Sequence, residues 1–325
     1  MIGEEGLQVM EQYDSIIVGG GIAGLQAGIQ LGRYEHRVLV IDAGYGRSTL
    51  CKSYHNLLGW PDGVSGEELR RLGRLQAERL GVAFAQDEVV QAVNKGKPGD
   101  GFELWGKSGQ GYEAPTLLLA TGLMDRIPDI PGLKPCLGLT IYVCPDCDGY
   151  EIRNKATIVM GSGDVGAAMA LKLSLRTDKL TYVNHGLCAV KGSNLEELKK
   201  KGITYIADDI QEVLGQENGL FGGLVTVNGK RLEAERGFIA FGGNEVKSDL
   251  ARQLGAERLE NRHIMTDARS KMTSVPFLWA AGDVGVHAEQ VTIAMGEGAQ
   301  AAIWMNKVLL MLKEEANAHK VVVRS

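Results

Sequence analysis

The feature that most constrains this chain is a pattern that occurs twice: an apolar run, a glycine-rich turn, a helical stretch and a second apolar run. In the first copy, Tyr13 to Val18 leads into Gly19-Gly20-Gly21-Ile22-Ala23-Gly24, a helical pattern follows from Leu25 to Leu31, and Arg37 to Asp42 ends in an acid. Asp42 follows Gly21 at the ~20-residue interval at which a carboxylate holds a ribose in dinucleotide-binding units. The chemistry dictates the residue types. Gly19 makes the tight turn, Gly21 lets the backbone approach a pyrophosphate, Gly24 lets helix and strand close up, and the helix N-terminus faces the anion. The second copy runs from a strand at Lys155 to Met160 through Gly161-Ser162-Gly163-Asp164-Val165-Gly166, a helix to Leu173 and a strand at Lys179 to Val183. It ends at Asn184-His185-Gly186, with neither an acid nor an arginine pair.

Two such units fit the length, since 325 residues is a prior for about two domains. With 44% hydrophobic and 23% charged residues the chain is globular, and its 44 glycines follow no period. That excess implies tight turns and close backbone approaches rather than a fibre. The 35 basic and 40 acidic residues leave a net charge of -5, which argues against nucleic acid as a partner. Met1 to Gly6 has neither a basic stretch nor an apolar core, so it does not read as a secretory signal, and a cytoplasmic protein is expected. Ala299 to Leu312, interrupted by Asn306 and Lys307, reads as an amphipathic helix and not as a membrane span. It leaves room for a peripheral membrane contact without calling for one.

Other landmarks fall between and after the two copies. Leu117-Leu118-Leu119-Ala120-Thr121-Gly122 precedes a proline-marked linker, Ile127 to Gly132; Phe241-Gly242-Gly243-Asn244 marks a return, and Pro276 to Asp283 closes on Gly-Asp. Of five cysteines, Cys51, Cys136 and Cys188 stand alone, which does not suit a secreted disulfide framework. Cys144 and Cys147 form a Cys-x-x-Cys, the mark of redox chemistry or of a metal. A zinc site needs two more ligands at paired spacing, and the sequence has no second Cys-x-x-Cys and no His-x-x-x-His, so no metal is expected. Two core cysteines without function are the remaining reading.

Taken in order, four of these elements resemble the low-molecular-weight thioredoxin reductase family of flavoproteins: Gly19 to Gly24, Ala120-Thr121-Gly122, Cys144-Pro145-Asp146-Cys147-Asp148-Gly149, and Ala281-Gly282-Asp283-Val284 with Gln290-Val291. The likeness runs from about Asp14 to about Ala302. It implies an α/β fold of two Rossmann-like domains, the second inserted into the first: residues 1–126 and 258–325 for FAD, and 127–257 carrying the cysteine pair. It further implies that Gly19, Gly20, Gly21, Ile22, Ala23 and Gly24 cradle the FAD pyrophosphate, with the ribose near Asp42. Asn56 and the Ala120-Thr121-Gly122 turn would adjoin the flavin, adenine would lie near Val90, the ribityl chain at Gly282-Asp283, and the ring edge at Gln290 and Val291. Cys147 would face the flavin, Cys144 would exchange with a partner's sulfur, and Asp148 would carry the proton; otherwise Asp148 is a solvated residue at a helix start.

The sequence departs from that family at one place. A 2′-phosphate needs cations, which the family supplies as a His-Arg-Arg run after the strand matching Lys179 to Val183. Here Asn184-His185-Gly186-Leu187-Cys188-Ala189 follows, no arginine occurs between Arg176 and Arg231, and Lys191 is the nearest cation. The pattern therefore resembles the pyridine-nucleotide-independent branch, most closely the diflavin-linked disulfide oxidoreductases of cyanobacteria. That resemblance implies no NADPH, a second FAD beside the first, electrons moving from a dithiol to flavin, a thioredoxin-like protein as partner and a homodimer. A ferredoxin-dependent or NADPH-dependent thioredoxin reductase, and a redox-sensing module without turnover, are the alternatives.

Overall fold

The computed structural model describes residues 10–97, 99–285 and 289–322, so the Met1 to Gly6 tail lies outside the described residues. Contacts divide the chain into two units. The first holds the described residues of Met1–Ser48, Glu67–Met124 and Val246–Ser325; the second holds Thr49–Gly66 and Asp125–Glu245.

In the first unit a parallel sheet runs in the order Leu278–Ala280, Thr116–Leu119, Ser15–Val18, Val38–Asp42, Ala83–Gln86. Its central strands are apolar at successive positions because both faces are covered. Ile16, Val18, Leu39, Ile41, Leu117 and Leu119 form one core with Phe102, Leu104 and Tyr112, which come from a separate four-stranded sheet. Ile17, Val38, Val40 and Leu118 form the other, with Ala23, Ala27 and Leu31 of the helix Ile22–Arg33 and Ala301, Met305 and Leu309 of the helix Val291–Val322. Each fully buried aliphatic side chain contributes about 1.5–3 kcal/mol, more than the ~1 kcal/mol lost at a helical glycine. Burial therefore decides the fold despite the glycine excess.

The last helix begins at Val291 rather than at Ala299. A methyl group on Gly298, inside this helix, would strike the Ala23 backbone, so this glycine lets the two helices approach closely. Among the described residues no helix is long and apolar enough to cross a membrane.

The second unit repeats the architecture with different residues. Its parallel sheet runs Ile141–Tyr142, Arg236–Ala240, Thr157–Gly161, Leu180–Asn184, Thr204–Ala207. Val159, Tyr182, Phe238 and Ala240 pack with Ala167, Ala170 and Leu173 of the helix Gly163–Leu173, while Ile158, Met160, Val183 and Ile239 pack with Val213, Phe221 and Leu224 of an antiparallel three-stranded sheet.

The units differ from the expected division by residues 125–126, which group with the second unit, and by two longer segments. Thr49–Gly66 groups with the second unit. Gly138 has φ +75° and a methyl group there would strike the Leu50 carbonyl; its own carbonyl accepts the Lys52 N–H at 2.9 Å. Residues 246–257 group with the first unit. Leu250 and Ala251 are buried in its core, and the Gln253 amide bonds Ala92 N–H and the Val90 carbonyl. Neither contact has a local sequence signal.

Candidate functional site

The first glycine turn is tight beneath and open above. A methyl group on Gly19 would strike the Ala120 carbonyl, and one on Gly24 would strike the Gly19 carbonyl. At Gly21, which caps the helix Ile22–Arg33, a methyl group would meet nothing within 4 Å. The chain thus closes helix against strand and leaves free the side on which a diphosphate would sit. Gly20 N–H donates to Asp42 Oδ1 at 3.2 Å, and Arg70 Nη2 donates to Asp42 Oδ2 at 2.6 Å. Beside Ala23, Gly282 N–H donates to Glu297 Oε2 at 2.8 Å, and Lys271 pairs with Glu297 at 3.1 Å, both side chains 12% exposed. Asp283 pairs with Arg47 at 3.4 Å, and Arg47 also lies 3.8 Å from Glu289.

The expected residues are brought together unevenly. Gly19 to Gly24, Asp42, Ala120 and Gly282 meet around the turn, and the start of the last helix, with Gln290 and Val291, stands at Ala294 against Gly282. Thr121 Oγ1 donates to the Lys247 carbonyl, whose own N–H donates to the Gly122 carbonyl at 3.0 Å. Val90 sits at an irregularity of the ladder between Val89 and Gln91, shortly after Asp87, whose N–H donates to the Asp42 carbonyl. Asn56 belongs to the second unit. Arg47, Arg70, Lys271 and Glu297 were missed, because an ion pair between distant positions leaves no spacing to read.

The second glycine turn is closed. Gly163 has φ +55°, and a methyl group there would meet the Ala189 carbonyl at 3.1 Å and Cys188 Cβ at 3.2 Å. Its N–H donates to Asn184 Oδ1 at 2.8 Å and its carbonyl accepts the Tyr182 hydroxyl at 2.7 Å. Asn184, 1% exposed, also donates from Nδ2 to the Cys188 carbonyl and to the Tyr205 hydroxyl. Asp164 accepts from Lys191 N–H at 2.8 Å and from Asn194 Nδ2 at 2.7 Å, and the Lys191 backbone bond leads the causes that hold its carboxyl below the usual range.

Cys144 and Cys147 are joined in a disulfide with Cα atoms 5.3 Å apart. Cys144 caps the single turn Pro145–Asp148, and its Sγ accepts the Cys147 N–H at 3.1 Å. This turn passes into a tighter one, Gly149–Ile152, so the helix expected after the pair is two short turns with little dipole. Asp146 is exposed and bound to Lys172 at 2.7 Å. Asp148 acts on half-buried Cys51 and buried Tyr142: burial pushes the Cys51 thiol up to about 12, with the Asp148 charge adding, and burial likewise pushes the Tyr142 hydroxyl up to about 12, with Glu151 and Asp148 adding and Arg236 opposing. A disulfide followed in sequence by a carboxylate is equipment for exchange with thiols, and an open anion cradle is equipment for holding a diphosphate.

The family model of pyridine nucleotide-disulphide oxidoreductases matches residues 13–298. The chain belongs to that family. This oxidoreductase is 33% identical over 299 residues to the thioredoxin reductase of Treponema pallidum (strain Nichols), a match that covers 89% of this chain and 95% of that one. Among solved structures it is similar to HlmI, with TM-score 0.85 at 27% identity and 96% of each chain covered. It is also similar to a putative thioredoxin reductase TrxB from Bacillus anthracis, with TM-score 0.80 at 26% identity, over 91% of this chain and 98% of that one. The oxidoreductase is therefore thioredoxin reductase-like, and its Rossmann-like α/β architecture is the one the sequence implied.

Proposed function

We propose that this oxidoreductase is an FAD enzyme that passes two electrons between a thioredoxin-like protein dithiol and flavin through Cys144–Cys147, in the dithiol-to-flavin direction and without NADPH. The observation that carries this reading is the contrast between the open turn at Gly21 and the closed turn at Gly163. The residues present fit FAD in the first unit: Gly19 to Gly24 for the diphosphate, Asp42 for the ribose, Val90 for adenine, Ala120 to Gly122 beside the ring, Gly282 and Asp283 for the ribityl chain, and Gln290 and Val291 for the ring edge. Bound flavin supplies a two-electron acceptor. Cys144 takes the partner's sulfur, Cys147 is the leaving thiolate, and Asp148 holds a proton beside it.

In the second unit the Gly163 N–H, which would face a nicotinamide nucleotide's diphosphate, already has Asn184 as acceptor. Lys191, the nearest cation, lies 3.8 Å from Asp164. The domain roles follow: an FAD domain in two segments and a nicotinamide-domain-like insert that holds the cysteines. A second FAD, a homodimer and a cytoplasmic location complete the proposal on the strength of the cyanobacterial resemblance. The retained glycines, and the pyridine nucleotide in the family's name, favour the rival reading of an NADPH-dependent thioredoxin reductase. Anaerobic mixing of the purified protein with NADPH, watched at the flavin band near ~450 nm, separates the two. No bleaching with NADPH and rapid bleaching with a dithiol is the expected pair of results. Counting extracted flavin per chain tests the second FAD, and Cys147→Ser should keep its flavin but lose dithiol-driven bleaching.

A further inference from the structure

We propose that His55, held between Ser53 and Glu151, is a positioned proton relay for thiol exchange at Cys144–Cys147, a role that rests on the dithiol reading above. Both ring nitrogens are engaged: Nε2 lies 3.0 Å from Ser53 Oγ and Nδ1 lies 3.3 Å from Glu151 Oε1. A methyl group on Gly63 would strike the His55 ring, so the loop closes against the imidazole. Glu151 stands four residues beyond Cys147, on the tight turn Gly149–Ile152 that directly follows the redox turn. The loop therefore meets this segment at two points: the Asp148 charge acts on Cys51, and His55 pairs with Glu151 on the following turn. The His55 side chain is 47% exposed, so it can trade protons with water and with a docked donor.

The need for such a group is chemical. A thiol ordinarily ionises near ~8.5 and a carboxylate near ~4, so a carboxylate is a poor base for a thiol proton, whereas an imidazole, ordinarily near ~6.5, is better matched. His55 takes the proton of the donor's first thiol. The resulting thiolate attacks Cys144 Sγ, the Cys144–Cys147 bond breaks, and Cys147 leaves as a thiolate. The donor's second thiol, deprotonated in turn, attacks the donor sulfur of the mixed disulfide; the donor disulfide closes and Cys144 is released. The donor loses two electrons and the cysteine pair gains them, and the two protons pass to the released sulfurs or to water. The groups against this imidazole are Glu151 from the turn after the redox turn and Ser53 from its own loop; Glu151 also acts on Tyr142 together with Asp148 and Arg236, and Asp148 and Lys52 act on Cys51.

The test is the rate at which dithiothreitol opens the disulfide of the holoenzyme from about pH 5.5 to about pH 9, read by alkylation and intact mass, independently of flavin. His55→Gln should slow opening on the order of 10²-fold at neutral pH. The residual rate should rise about tenfold per pH unit with the donor's own ionisation, so the gap narrows toward alkaline pH. Glu151→Asp should retain most of the rate and Glu151→Gln should fall between. A His55→Gln profile identical to wild type, or lowered equally at every pH with flavin content and Tm unchanged, overturns the relay alone. A wild-type disulfide that dithiols do not open overturns the relay and the dithiol reading together.

Discussion

The two glycine turns of this chain share a backbone plan and differ in what occupies the space above it. At the first, a methyl group on the central glycine, Gly21, would meet nothing, and the acid at the next strand end, Asp42, bonds the neighbouring Gly20 N–H. At the second, the central Gly163 lies under Ala189 and Cys188, and the strand-end residue, Asn184, is buried with four hydrogen bonds. A glycine fingerprint thus reports that helix and strand are closely packed. It does not report that a ligand is bound, because the packing glycines and the ligand-facing glycine answer to different neighbours.

Substitutions can break this contrast. The largest effect is expected from Gly21→Leu: a side chain in the open space should weaken FAD binding by at least about 10²-fold, near 3 kcal/mol, with little change in Tm. Titration of the apoprotein by flavin fluorescence reads it, and unchanged affinity would place the diphosphate elsewhere. Asn184→Ala should act the other way, removing partners from the Gly163 N–H, the Cys188 carbonyl and the Tyr205 hydroxyl. A loss of about 2–3 kcal/mol is expected from such unsatisfied buried groups, seen in thermal unfolding, with FAD affinity intact. Gly163→Ala should cost about 1–2 kcal/mol through its left-handed backbone and the close Ala189 carbonyl. If it instead leaves stability unchanged, the second turn is not closed.

Asp42→Asn is smaller, about tenfold in FAD affinity or 1.4 kcal/mol, since an amide can still accept the Gly20 N–H but leaves Arg70 without its anion. The smallest effect concerns pH. The Asp164 carboxyl is held below its ordinary value, first by the Lys191 N–H. Its contribution is therefore present above the unfolded carboxylate value and is lost as pH falls through the lower folded value. Acid should loosen the 185–191 segment in wild type, and Asp164→Asn should flatten that dependence, as hydrogen exchange of the Lys191 amide would show.

Much of the fold was legible because parallel strands buried on both faces must be apolar in succession, as Ile16 to Val18 and Ile158 to Met160 are. The start of the last helix at Val291 was not, since its first turns carry Gly296 and Gly298, and the packing of Gly298 on Ala23 is a contact between distant segments. Of the candidate site, the glycine turns and the cysteine pair were legible because each is a local spacing. Arg70 on Asp42, Arg47 on Asp283, Lys271 on Glu297 and His55 on Glu151 were not, because each joins separate segments.

The sequence by itself determined that this protein has two Rossmann-like units and a cysteine pair able to form a disulfide, because strand burial, tight turns and a three-residue thiol spacing are short-range requirements. Only the tertiary structure decided which glycine turn is open and which is covered, and that Thr49–Gly66 groups with the unit holding the disulfide. Those outcomes depend on what long-range packing brings to a given point: the Ala189 carbonyl over Gly163, the Leu50 carbonyl against Gly138, and nothing at all above Gly21.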